Sequence, residues 1–176
     1  MDDRIRQDLS ERRNFYLMLN EQGLTIYTDG SARGNPGRGG YGTILMWKGQ
    51  AKELSGGYRL TTNNRMELMS VIAGLEALTR KGLDIVIYSD SQYVVKAVKE
   101  GWLENWMRTN FKGGKKNPDL WKRFYVLSKQ HSIRFHWVKG HADNPYNNRC
   151  DELATSAADG RDLQVDEYYE QEQRSH

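Results

Sequence analysis

The chain has 176 residues, 38% hydrophobic and 11% aromatic, enough for one domain with a packed core and too few for two catalytic domains. The formal net charge is only +3, and the longest apolar run near the N-terminus, Phe15 to Leu19, is too short for a secretory core or a membrane span. A lone cysteine, Cys150, excludes an intrachain disulfide and fits a reducing cytoplasm, so a soluble cytoplasmic protein is expected.

Residues 1–23 alternate acids and arginines before Phe15, Tyr16, Leu17 and Leu19, a pattern for an N-terminal extension that is a short surface helix or a frayed segment. From Leu24 the pattern turns to strand: Leu24, Ile26 and Thr28 alternate with Thr25, Tyr27 and Asp29, and a glycine-rich turn, GSARGNPGRGG, follows. Further strands are predicted at about 41–47 and 52–60, giving an antiparallel meander. The period then changes. Leu68, Val71, Ile72, Leu75 and Leu78 form one helical stripe, ended by Lys81-Gly82. Ile85 to Tyr88 is a short buried strand that a right-handed crossover returns beside the first, so Asp29 and Asp90 end neighbouring strands. Helices are predicted around 92–99, 102–108 and 118–130. A fifth strand follows at Ile133, Phe135 and Trp137, then the loop KGHADNPYNN, then a last helix whose first turn carries Asp151.

Charge is unevenly spread. Lys99 to Arg123 holds seven Lys or Arg against three acids, a basic face for a polyanion, whereas Asp159 to His176 holds six acids against two arginines. Cys150, in a helical pattern beside Asp151, reads as a small buried group and not as a nucleophile.

Four acids sit in four separate motifs: Asp29 in YTDGS, Glu67 in NNRMEL, Asp90 in YSDSQYV and Asp151 in RCDELA. Carboxylates gathered at one crevice without enough Lys or Arg repel one another, and a hard, oxygen-loving cation relieves that repulsion, which points to Mg²⁺ or Mn²⁺ and to phosphoryl transfer. Each acid also has an ordinary explanation. Asn64-Arg65-Met66-Glu67 has the offset of a capping box, Asp151 suits a helix dipole, and Asp29 and Asp90 suit turns. Their convergence at the carboxyl ends of adjacent strands favours the metal reading.

Taken together, YTDGSARGNPGRGGYG, TTNNRMELM, YSDSQYV and WVKGHADNPYNNRCDELA, with the basic segment between them, resemble bacterial-type ribonuclease HI over roughly residues 24–158. The resemblance implies an α/β ribonuclease-H-like fold: a five-stranded mixed sheet in the order 3-2-1-4-5 with helices on both faces, and an acidic tail, 159–176, beyond it. It implies an endonuclease cutting the RNA strand of RNA–DNA hybrids with two Mg²⁺ ions, Mn²⁺ being a possible substitute, and leaving 5′-phosphate and 3′-hydroxyl ends. Asp29, Glu67, Asp90 and Asp151 match the family's metal-binding acids, and His141 its loop histidine that assists proton transfer or product departure. Asn35, Asn63, Asn64 and Gln92 match positions along the substrate groove, where neutral amides suit the 2′-hydroxyl, and Thr62 with Asn35 matches part of a DNA-phosphate site. Trp102, Lys112, Lys115 and Lys116 match a basic protrusion, here somewhat abbreviated, whose lysines reach the duplex backbone. The protein is expected to act as a monomer, with either tail a candidate contact for an unidentified protein. Two other readings stay open: another polynucleotidyl transferase of the wider superfamily, and a noncatalytic hybrid-binding protein whose acids only shape turns.

Overall fold

The computed structural model describes residues 23–139 and 144–176. Expectations for the N-terminal extension and for His141 fall outside the described residues.

Three strands open the fold: β1 (Leu24–Ala32), β2 (Gly37–Trp47) and β3 (Gln50–Thr61). They form the expected meander, with β1 antiparallel to β2 and β2 antiparallel to β3. Helix α1 (Asn63–Glu76) crosses to β4 (Asp84–Ser89), which runs parallel to β1. Helices α2 (Gln92–Lys99), α3 (Trp102–Arg108) and α4 (Pro118–Ser128) precede β5 (Ser132–Trp137), parallel to β4, and α5 (Pro145–Ala158) follows. The order 3-2-1-4-5 is as predicted.

The sheet nevertheless has a sixth strand among the described residues. β6 (Leu163–Gln164) pairs parallel to β3 through Gly57 and Tyr58, and α6 (Glu167–Arg174) follows it. The charge run 159–176 reads as an acidic tail beyond the domain because its partners are remote in sequence. The buried Asp166 carboxylate bonds Thr61 Oγ1 at 2.7 Å and the Arg65 guanidinium at 2.7 and 2.9 Å, and Arg59 donates to Glu170 at 2.8–3.2 Å.

Two layers bury the sheet. On one face α1 sends Leu68, Val71, Ile72 and Leu75 against Leu24, Ile26, Ile85 and Ile87, all nearly inaccessible to solvent. Burying each such side chain contributes about 1.5–3 kcal/mol. The helix ends at Glu76, so Leu78 is only a partly buried neighbour of the core and Lys81-Gly82 lies beyond the helix. An aromatic annex of Tyr93, Trp106, Phe111, Trp121 and Phe124 ties α2, α3 and α4 together, with Trp121 and Tyr93 rings 5.6 Å apart and the Trp121 indole N–H donating to Tyr93 Oη at 2.7 Å.

On the other face α5 lies directly on backbone. A Cβ at Gly40 would stand 2.2 Å from the Ala154 carbonyl oxygen, one at Gly42 2.3 Å from that of Cys150, and one at Gly57 2.2 Å from that of Ala157. These three glycines form a trench that only the absence of side chains keeps open. Cys150 is fully buried against it, and burial pushes its thiol pKa up, which fits a packing role.

Candidate active site

Three elements meet at the carboxyl ends of β1 and β4. Parallel pairing of these strands stops at Tyr27 and Tyr88, while β1 continues along β2, so Asp29, expected from the sequence at the strand's end, stands instead inside β1 where the two strands part. Asp90 immediately follows β4. There Ser91 caps α2 by accepting from Val94 N at 3.2 Å, and the Trp137 indole N–H donates to the Asp90 carbonyl at 3.2 Å. Trp137 is a brace that sequence reasoning missed, although its place at the end of β5, next to β4, was legible in the alternation.

Glu67 arrives from the second turn of α1. The helix cap is Thr62, whose hydroxyl accepts from Arg65 N at 3.2 Å, not Asn64, so Glu67 is released from the capping-box role. Gly30 brings the helix close: a Cβ there would lie 2.2 Å from the Met66 carbonyl carbon and 2.3 Å from Glu67 N. The contact between β1 and α1 thus falls between the two carboxylate-bearing residues, and a side chain at 30 would force them apart.

One oxygen from each of Asp29, Glu67 and Asp90 lies within 4.8 Å of the others. Asp29 is buried and receives the Gly30 N–H at 2.8 Å. Glu67 Oε2 is buried with no hydrogen-bond partner among the described residues, an orphan that a cation would satisfy. Burial, and then the charge of Asp90, push the Asp29 pKa up to about 8 even though the Gly30 N–H opposes the shift. Glu67 is raised well above the usual carboxylate range by burial first and by Asp29 and Asp90 next. Such a donor set of acidic oxygens, crowded and short of counter-charge, fits a hard divalent ion.

Asp151 stands outside this tight trio but lines the same crevice, and its charge adds to the upward push on Asp29. It is not in the first turn of its helix. Asn144 caps α5, accepting from Tyr146 N and Asn147 N, and Pro145 starts it, so Asp151 is nearly two turns in and its place is set by the glycine trench and not by the helix dipole. The exposed carboxylate of Asp151 makes a flank to the crevice.

The expected substrate residues divide into two groups. Asn63, Asn64 and Gln92 line the carboxylate crevice. Asn35, Thr62 and Asn64 line a neighbouring groove together with Lys115 and Lys116. Asn63 Oδ1 accepts from Ala32 N at 2.6 Å and Asn35 Oδ1 from Asn63 N at 2.9 Å, so each amide has its oxygen fixed by backbone and its NH₂ left to donate outward. Lys112, Lys115 and Lys116 are exposed. Trp102 is 40% exposed, its ring 6.4 Å from that of the buried Trp106, so the protrusion rests on an aromatic base.

The raised pKa values carry a sign. In the unfolded chain Asp29 titrates near 4 and in the fold at about 8, with Glu67 shifted in the same direction, so the metal-free fold holds extra protons between those values. The stability this contributes is complete below about pH 4 and is lost as pH rises through about 8. We expect metal-free Asp29→Asn to melt above metal-free wild type at pH 9 by at least about 2–4 °C, roughly 1 kcal/mol, and the gap to close toward pH 4. Thermal melts in EDTA across that range measure it; a constant gap would contradict the coupling.

Among known proteins, the family model described as RNase H matches residues 21–159. Ribonuclease H of Lachnoclostridium phytofermentans is 55% identical over 157 residues, covering 84% of this chain and 99% of that protein. Ribonuclease H of Desulforamulus reducens is 50% identical over 147 residues, covering 81% and 92%. Of solved structures, LC9-RNase H1, a type 1 RNase H with the type 2 active-site motif, superimposes with a TM-score of 0.70 at 28% identity, covering 79% of this chain and 73% of that one. LC11-RNase H1, solved in complex with an RNA/DNA hybrid, gives 0.58 at 28% identity, covering 77% and 96%. With its acids converging where the sheet opens, and with this match running through every strand from β1 to β5, the chain belongs to the ribonuclease H family.

Proposed function

We propose that the protein is an endonuclease that hydrolyses the RNA strand of RNA–DNA hybrids, leaving 5′-phosphate and 3′-hydroxyl ends. The observation that carries the reading is the trio of Asp29, Glu67 and Asp90 oxygens within 4.8 Å, with a buried Glu67 oxygen that no donor among the described residues meets. These three, with Asp151 at the flank, would hold two Mg²⁺ ions, Mn²⁺ being a substitute. Such ions, when bound, supply an activated water, neutralise charge gathering on phosphorus and stabilise the departing oxygen.

The chain's own residues do the rest. The Gly30 N–H fixes one Asp29 oxygen, and Trp137 and Ser91 hold the backbone around Asp90, so the carboxylates are in place before substrate arrives. Asn63, Asn64 and Gln92 at the crevice rim suit the 2′-hydroxyls of the RNA strand, which tell it from DNA. Asn35 and Thr62 with Lys115 and Lys116 suit the other strand's phosphates. His141, ten residues before Asp151 in the sequence, is proposed to exchange a proton with the departing oxygen. Among the described residues no helix is long and apolar enough to cross a membrane; a cytoplasmic monomer fits the reading.

Incubation of end-labelled RNA–DNA hybrid, double-stranded DNA and double-stranded RNA with and without Mg²⁺ tests this. The expected result is internal cuts confined to the RNA of the hybrid and dependent on the metal. Equal cutting of double-stranded DNA would favour a different polynucleotidyl transferase, and tight hybrid binding without any cut would favour a binding module.

A further inference from the structure

We infer that helix α6 borders the bound hybrid, forming an outer wall of the groove for the strand that is not cut, and that its charge sets how tightly that strand is held. The inference rests on the hybrid-nuclease reading and adds to it a segment beyond residues 21–159, the part of the chain matched by the family model.

The carboxylate crevice and the neighbouring groove share Asn64. A duplex whose RNA phosphate sits among the carboxylates therefore carries its second strand along the groove lined by Asn35 and Thr62. Lys115 and Lys116 give that groove a basic lining, and Tyr169, Glu172, Gln173 and His176 line it too. With Tyr168, these recur at i, i+1, i+4, i+5 and i+8, so they follow one face of α6 and its C-terminal continuation.

That face is held where it is. Asp166 at the helix cap is bonded to Arg65 and Thr61, and Glu170 on another side is bonded to Arg59, so the helix is fastened at its first turns. Those pairs absorb two of its acidic charges. Glu172 is different: it is exposed, its carboxylate lies 3.6 Å from the His176 ring nitrogen and pairs with no Lys or Arg among the described residues, and it lines the same groove as the lysines. A polyanion entering there gains from the lysines and is repelled by Glu172, an interaction that salt screens. Gln171 and Arg174 lie off this face and do not line the groove.

The test measures hybrid affinity by fluorescence anisotropy in EDTA, with the full chain, at about 0.05 M and about 0.5 M salt. Glu172→Lys is expected to tighten binding roughly three- to tenfold at the lower salt and Gln173→Glu to weaken it roughly threefold, both effects shrinking at the higher salt. Gln171→Lys, a gain of one unit of positive charge off the groove where Glu172→Lys gains two, is expected to change affinity by less than about twofold. Equal effects from positions 171 and 172, or none from 172 and 173, would overturn the inference. Cleavage of hybrid by the wild-type chain in Mg²⁺ is scored separately, so loss of the nuclease reading is distinguishable from loss of this one.

Discussion

Replacing Asp29 with Asn is expected to abolish metal-dependent cleavage while leaving hybrid binding nearly intact. Asp29 is the most central of the acids: it shares the 4.8 Å cluster with Glu67 and Asp90, and its charge is coupled to Asp90 and Asp151. The amide keeps the size and can still accept the Gly30 N–H, so the backbone has no reason to move. What it removes is one full negative charge from the group that would hold the ions. The turnover rate should fall by at least about a thousandfold. Binding should change by no more than about threefold, because phosphate-backbone contacts supply affinity and the relevant lysines lie elsewhere. Single-turnover cleavage of labelled hybrid, paired with anisotropy in EDTA, separates the two quantities. Cleavage at even a tenth of the wild-type rate would remove Asp29 from the reaction.

The largest effect on stability is expected from Arg65→Met. Arg65 is 2% exposed and makes bidentate contacts with both Asp119, at 2.7 and 2.9 Å, and Asp166, at 2.7 and 2.9 Å, with the Tyr168 ring centroid 5.3 Å from its guanidinium carbon. Burial opposes its charge, and the two carboxylates outweigh burial, so its pKa is raised. Methionine fills much of the volume but leaves Asp166 buried without its cation, which costs about 3–5 kcal/mol. For a chain of this length that is a fall in Tm of roughly 6–20 °C. Because Asp166 fastens α6, the C-terminal segment should also become an early site of limited proteolysis. Urea unfolding of both chains measures the first effect and timed proteolysis the second; a loss below about 1 kcal/mol would mean that the pair contributes little beyond its own desolvation cost.

Much of this was legible in the sequence because local pattern and global fold agree. Alternation at Leu24, Ile26 and Thr28, the helical stripe from Leu68 to Leu75, and the crossover to Ile85 were each enough to place a strand or helix, and the order of the sheet followed from them. The four acids drew attention through their motifs, yet what holds them was hidden. Nothing local says that Gly30 must face the backbone of Met66, since a glycine before a serine also reads as a turn. Thr62 and Asn64 both offer a cap, and only the packed helix selects Thr62. Placing Asp151 in a first turn came from counting from Cys150, whereas Asn144 and Pro145 begin the helix earlier. The C-terminal charges read as a tail beyond the domain because each partner, Arg59 or Arg65, lies more than 100 residues away. Pairings at such separation leave no periodic trace.

The bare strip beneath α5 bears on how the fourth acid keeps its station. Where a helix sits on a sheet through interlocking side chains, its standoff shifts whenever one of those chains is exchanged. Here main chain rests on main chain at residues 40, 42 and 57, so the standoff is gauged by peptide thickness, a dimension common to every sequence. The outward flank of α5 is therefore free to drift in composition without detuning Asp151, whereas one methyl group added in the strip would lift the helix, and the carboxylate with it, off the crevice.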